Sequence, residues 1–168
     1  IDSGMTWGDS PRAVAESSDV VFSMVTNTAA LNAVALGSDG IIAGLSKGKV
    51  FIEMSTVSPA ASRDLAKQVT AKGAAMLDAP VSGSVITLEQ GQVSFMVGGD
   101  TAIFEKVKPI LLDIGPKVTH VGANGLAVTM KIAVIISLAV QILALSEGLL
   151  IAAGICIYTN ANITVEML

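Results

Sequence analysis

The chain has 168 residues, enough for one domain or one and a fraction, and its 52% hydrophobic content is ample for a core. A formal net charge of −4 and a pI of about 4.8, without a Lys/Arg cluster, leave no electrostatic footprint for nucleic acid or an anionic membrane, so neither is expected as a partner. Cys156 is the only cysteine, which excludes an internal disulfide and fits a reducing compartment.

In chain order, Ser10-Pro11 marks a helix start, with Ser10 as N-cap and Pro11 at the first helical position, and the helix runs through Arg12 to Glu16. Asp19 to Val25 is a continuous apolar run of strand length, as expected of a strand covered on both faces in a parallel sheet. Thr26-Asn27-Thr28 then turns into a short helix, Ala29 to Leu36, which Gly37 can close. The unit recurs: Val50 to Met54 reads as a strand, and Ser55 to Pro59 turns into a helix capped by Ser58 that runs to Lys72 and ends at Gly73. A short apolar run, Ala74 to Leu77, delivers the chain into Asp78-Ala79-Pro80-Val81-Ser82-Gly83-Ser84. Gln92 to Val97 reads as a strand, Asp100 caps a helix from Thr101 to about Asp113, and Lys117 to Val121 is a last strand before Gly122. Strands alternating with helices predict a layered α/β sheet.

After Gly122 the pattern changes. No turn signal falls between Gly125 and Gly154, and Ile132 to Leu145 is apolar on nearly every side, so one long helix is expected, buried all round and shared between subunits. The run is long enough to span a bilayer. Gln141 and Glu147 within it, and no basic flank, favour a core helix over a membrane segment. Ile155 to Asn162 reads as a loop and Ile163 to Leu168 as the start of a further helix.

Several residues offer chemistry. In the Asp78–Ser84 stretch the Ser82 hydroxyl can donate, Gly83 lets a ligand approach the backbone, and the next N–H groups can face an anion if a helix starts there. That describes a carboxylate cradle; Ser82 could equally serve only as a helix N-cap. Thr56 and Asn27 stand at the carboxyl ends of two strands, where open α/β sheets bind ligands, although both suit ordinary turns. Lys131 is an isolated charge opening an apolar helix, either a proton-transfer group or a solvated first-turn lysine. His120, the only histidine, reads as a structural hydrogen-bonding residue, and without a second His or Cys partner it suggests no metal site.

Taken together, Asp78-Ala79-Pro80-Val81-Ser82-Gly83, Gly91, Met96-Val97-Gly98-Gly99-Asp100, Gly122, Gly125 and Lys131 resemble the β-hydroxyacid dehydrogenase family, which includes 3-hydroxyisobutyrate dehydrogenase and tartronate semialdehyde reductase. Met54 to Pro59, Ser10-Pro11 and Asp19 to Val21 match as well, so the resemblance covers nearly the whole chain. It implies an incomplete Rossmann-like doubly wound sheet over residues 1–121, the C-terminal part of an NAD(P)-binding domain. Residues 122–168 would be the long interdomain helix and the start of an all-α domain. The glycine-rich turn that seats the dinucleotide pyrophosphate is absent and is expected before Ile1, and the rest of the helical domain after Leu168.

The resemblance also implies roles. NAD or NADP would be the cofactor and a small-molecule carboxylate the substrate, a β-hydroxy acid interconverted with its semialdehyde. Lys131 would be the general acid/base; a free lysine has a pKa of about 10.4, so burial or the nicotinamide charge would have to lower it. Ser82, Gly83 and the backbone of Ser84 would hold the carboxylate. Val25, Thr26 and Asn27 would line the adenosine and ribose side of the cofactor, and Thr56 would lie near the nicotinamide. A homo-oligomer formed through the long helix is expected, in the cytoplasm or the mitochondrial matrix. Three positions depart from the family pattern: Ser84 and Ala127 replace common glycines, and Ile135 replaces an asparagine one helical turn beyond the lysine. An isoleucine cannot hydrogen-bond a substrate oxygen, which keeps a non-catalytic family member, an oligomerisation scaffold, as the alternative.

Overall fold

The structure, a computed structural model, describes residues 4–155. The chain divides into two compact units, residues 1–132 and 133–168.

The first unit is a six-stranded sheet with helices on both faces. Its elements begin with α1 (Pro11–Ser17), where Ser10 accepts from the Ala13 N–H and Pro11 sits at the first position, then β1 (Val20–Ser23). Asn27 caps α2 (Thr28–Ala35), and a single turn, α3 (Ile41–Gly44), follows that the sequence did not announce. Next come β2 (Val50–Glu53), α4 (Pro59–Ala71) and β3 (Ala75–Asp78). A two-residue strand β4 (Val81–Ser82), the short helix α5 (Val85–Glu89), β5 (Ser94–Gly98), α6 (Thr101–Ile114) and β6 (Lys117–Gly122) complete the unit.

β1, β2 and β3 are parallel neighbours, as expected, and their registers align Ser23, Glu53 and Asp78 in one row at their carboxyl ends. Beyond β3 the direction reverses: β5 runs antiparallel to both β3 and β4, and parallel to β6. The pairs Asp78↔Gly98, Val81↔Phe95 and Ser82↔Ser94 share one antiparallel register. Asp78 to Ser82 is therefore a single arm laid along β5, broken only at Ala79-Pro80, where proline has no N–H to give the ladder. Apolar periodicity specifies burial but carries no strand direction, so this reversal was not readable from it.

Two apolar clusters flank the sheet. Val21, Leu31, Phe51, Leu65, Val69 and Met76 belong to one, and Ile52, Leu77, Phe95, Val97, Phe104 and Leu111 to the other. Phe51 and Ile52 are adjacent in β2 yet serve opposite clusters, which is why that strand reads as an unbroken apolar run.

The long helix α7 spans Leu126–Ile155. Its first residues belong to the first unit, where Ala127 and Val128 are fully buried. Within the second unit the expected burial all round is not found: Ile136, Leu143 and Leu150 are 58%, 65% and 72% exposed. A helix apolar on all sides needs cover, but its pattern does not say which molecule gives it. By length and composition alone, residues 126–154 could also cross a membrane. The expected loop over 156–162 and the helix start at Ile163 lie outside the described residues.

Candidate functional site

The carboxyl ends of β1 and β2 are joined by two hydrogen bonds between their loops. The Val25 N–H donates to Ser55 Oγ at 2.8 Å, and the Ser58 N–H donates to Thr28 Oγ1 at 3.0 Å. These bonds leave Thr26, Asn27 and Thr56 exposed and Val25 half-buried at the sheet's carboxyl edge. Asn27 also has a local duty, since its Oδ1 accepts from the Ala30 N–H at 2.9 Å as the cap of α2.

Next to this edge, a cavity of about 510 Å³ is walled by Met24, Met54, Val81, Phe95, Gly83 and Ser84 among others. It brings the ends of β1 and β2 together with the Ser82 loop in a mostly apolar recess. Of the site residues expected from the sequence only Gly83 and Ser84 line it; Ser82, Val25, Thr26, Asn27, Thr56 and Lys131 do not. Lys131 lies in the second turn of α7, half-buried, with no carboxylate within ion-pair distance among the described residues.

The Ser82–Ser84 loop differs from expectation in its details. The cap of the following helix is Ser84, not Ser82: Ser84 Oγ accepts from the Thr87 N–H at 3.4 Å, and the Ser84 N–H donates to Thr87 Oγ1 at 2.6 Å, a capping box. The Ser84 N–H assigned to a carboxylate is thus already engaged. Gly83 has a local reason as well, because a Cβ there would stand 2.5 Å from Thr87 Oγ1. Ser82 is half-buried in β4 and is not needed as a cap.

His120 is structural, as expected. Its Nε2 lies 2.9 Å from the Gly99 carbonyl oxygen and its ring stacks on Phe104 with centroids 4.8 Å apart. No group of His, Cys, Asp and Glu suited to a metal occurs among the described residues.

Two carboxylates that sequence reasoning missed lie at the end of the parallel strands, both at 0% exposure. Asp78 Oδ1 accepts from the Gly125 N–H at 2.8 Å and Oδ2 from the Val128 N–H at 3.2 Å, with Asn124 Nδ2 3.4 Å from Oδ1. Glu53 Oε1 accepts from the Ser55 N–H at 2.7 Å, while Oε2 is buried without a partner among the described residues. An acid ending an otherwise apolar strand was the available signal, since a buried carboxylate requires donors.

Burial pushes the Glu53 carboxyl above its ordinary value; hydrogen bonds from Ser55 oppose the rise and the Asp78 charge adds to it. The folded protein therefore keeps this proton at pH values where the unfolded chain has lost it. Stability from this group is present below the ordinary value of 4.5 and lost as pH rises through the folded-state value. Glu53→Gln should melt at a temperature that gains on wild type as pH rises above 4.5 and then levels off. A difference that stays flat over that range, in paired thermal melts, contradicts the assignment.

The fold defines a doubly wound α/β domain whose candidate ligand groups cluster at the carboxyl edge of its parallel strands, the place where such sheets take nucleotide cofactors. The family model of the NAD binding domain of 6-phosphogluconate dehydrogenase matches residues 1–122. The chain belongs to that family. It is similar to 2-hydroxy-3-oxopropionate reductase of Escherichia coli (strain K12), at 43% identity over 145 residues that make up 86% of this chain and 50% of the relative. It is 39% identical over 140 residues to the mitochondrial 3-hydroxyisobutyrate dehydrogenase of Drosophila melanogaster, covering 83% of this chain and 42% of that one. Among solved structures, the 3-hydroxyisobutyrate dehydrogenase of Mycobacterium tuberculosis, with L-serine, superposes with a TM-score of 0.79 at 32% identity, covering 86% of this chain and 48% of that one. The chain spans about half the length of the curated relatives it matches.

Proposed function

We infer that the protein to which this chain belongs is an NAD(P)-dependent oxidoreductase interconverting a small β-hydroxy acid and its semialdehyde. The observation that carries this reading is the cavity of about 510 Å³ where the ends of β1 and β2 meet the Ser82 loop. The residues at this edge suit a nicotinamide nucleotide: exposed hydroxyl and amide groups of Thr26, Asn27 and Thr56 stand beside an apolar recess. Val25, Thr26 and Asn27 would hold its ribose side and Thr56 its nicotinamide side. When bound, the cofactor supplies or takes up the hydride.

The chain's own residues would do the remaining work. The Ser82 hydroxyl and the Gly83 N–H hold the substrate carboxylate, and Ser84, whose N–H is engaged by Thr87, narrows the recess. Lys131 takes the hydroxyl proton as the carbinol carbon is oxidised, and returns it to the carbonyl oxygen in the reverse direction. The relatives' names, 2-hydroxy-3-oxopropionate reductase and 3-hydroxyisobutyrate dehydrogenase, support a small hydroxy acid or semialdehyde as the ligand.

A homo-oligomer formed through α7 belongs to the same reading, supported by the exposed apolar side chains from Val134 to Ile151. The same exposed face favours the second reading, a non-catalytic scaffold. Calorimetric titration of the full-length protein with NAD and NADP separates the two: the oxidoreductase binds one of them, whereas binding of neither leaves the scaffold.

A further inference from the structure

We propose that Asp78 is a positioning residue that fixes the start of the Lys131 helix against the Ser82–Gly83 loop. The proposal rests on the role inferred above for Lys131. Three motifs separate in sequence meet at this one carboxylate. Asp78 begins the antiparallel arm that carries Ser82 along β5. Its two oxygens accept the backbone N–H groups of Gly125 and Val128, the latter lying three residues before Lys131. Gly98 passes directly beside the carboxylate, where a Cβ would stand 2.6 Å from Oδ1.

The arrangement is built to be rigid. Asp78 is at 0% exposure, so its charge is compensated by these donors rather than by water. The first N–H groups of a helix have no partners within it, and a carboxylate here satisfies two donors at the start of α7 from a distant strand. Asn124 reinforces the joint, with its Nδ2 donating to the Met76 carbonyl at 2.9 Å. Gly125 adopts φ of +85°, a conformation that L side chains rarely take, where the chain turns into the helix. Rotation of α7 about its axis would have to break both bonds to Asp78. A group that transfers a proton must be held to within a fraction of an ångström, so this anchor bears on turnover as well as on folding.

The test compares Asp78→Asn with wild type in the full-length protein by amide hydrogen exchange and steady-state kinetics. The amide keeps the shape of the side chain but turns one acceptor into a donor facing N–H groups. Exchange at Gly125 and Val128 should quicken about tenfold or more while the β2 amides stay as slow as in wild type. Turnover should fall roughly ten- to a hundredfold, with cofactor KM unchanged. If Asp78→Asn does not fold, Asn124→Ala, which removes only the supporting amide, should shift the same two readouts in the same direction. Unchanged exchange at Gly125 and Val128 overturns the anchor. Faster exchange with wild-type kcat overturns its link to Lys131. A wild-type protein that turns over no semialdehyde would instead count against the proposed function, and the exchange comparison would still decide the anchor.

Discussion

Lys131→Ala in the full-length protein should lower kcat by about a hundred- to ten-thousandfold, the usual contribution of a positioned proton-transfer group, without weakening cofactor binding. Alanine is the best helix former, so the start of α7 should be retained. The half-buried lysine has no carboxylate partner among the described residues, so its removal leaves no opposite charge stranded. A fall in kcat with intact cofactor affinity would therefore report on chemistry rather than folding. Wild-type turnover in this variant would remove Lys131 from the mechanism.

The second large effect concerns stability. Gly98→Ala adds one methyl group at a place with no room: its Cβ would meet Asp78 Oδ1 at 2.6 Å and the Ala123 carbonyl oxygen at 2.9 Å. Either the carboxylate withdraws from its donors or the β5 backbone shifts, and overpacking of this kind costs roughly 1–3 kcal/mol. Gly98 does not need a left-handed conformation, so the cost would be steric alone. Gly91→Ala provides the contrast, since it has φ of +64° and nothing within 4 Å of the added carbon. Its cost should be backbone strain of about 1 kcal/mol. Chemical denaturation of the two variants should rank Gly98→Ala as the more damaging; equal midpoints would contradict the close approach of Gly98 to Asp78.

Local signals in the sequence foretold most of the elements. Ser10-Pro11 and Asp100 start helices because each offers a side-chain acceptor to an N–H three residues on, at 3.1 Å and 3.0 Å. Unbroken apolar runs located β1 and β2; both faces of β2 are covered, whereas β1, expected to be covered on both, leaves Phe22 exposed on one. One missed feature was local: Thr87, three residues after Ser84, engages it with both hydroxyl and N–H and so selects Ser84 rather than Ser82 as the cap of α5. The other missed features depended on contacts between distant residues. Asp78 finds its donors 47 and 50 residues away, a pairing created by the reversal of β5. The apolar character of α7 was plain, but its exposure within one chain was not, because composition measures the demand for cover and not its source.

The candidate site was legible as motifs and not as geometry. Gly83 and Ser84 line the cavity with the ends of β1 and β2, whereas Lys131 and Thr56 stand outside its walls. Glu53 passed as one polar residue in a strand, because its burial arises only when β1 and β3 close on either side of it.

The most direct measurement of the central claim is isotope transfer in the full-length protein. Reduced nicotinamide cofactor carrying deuterium at its hydride position is incubated with a small carboxylate semialdehyde, and the hydroxy acid formed is analysed by mass spectrometry and NMR. The account predicts one deuterium on the carbinol carbon in wild type and a large loss of labelled product in Lys131→Ala. A wild-type protein that forms no labelled product, or a Lys131→Ala variant that forms it at the wild-type rate, would contradict it.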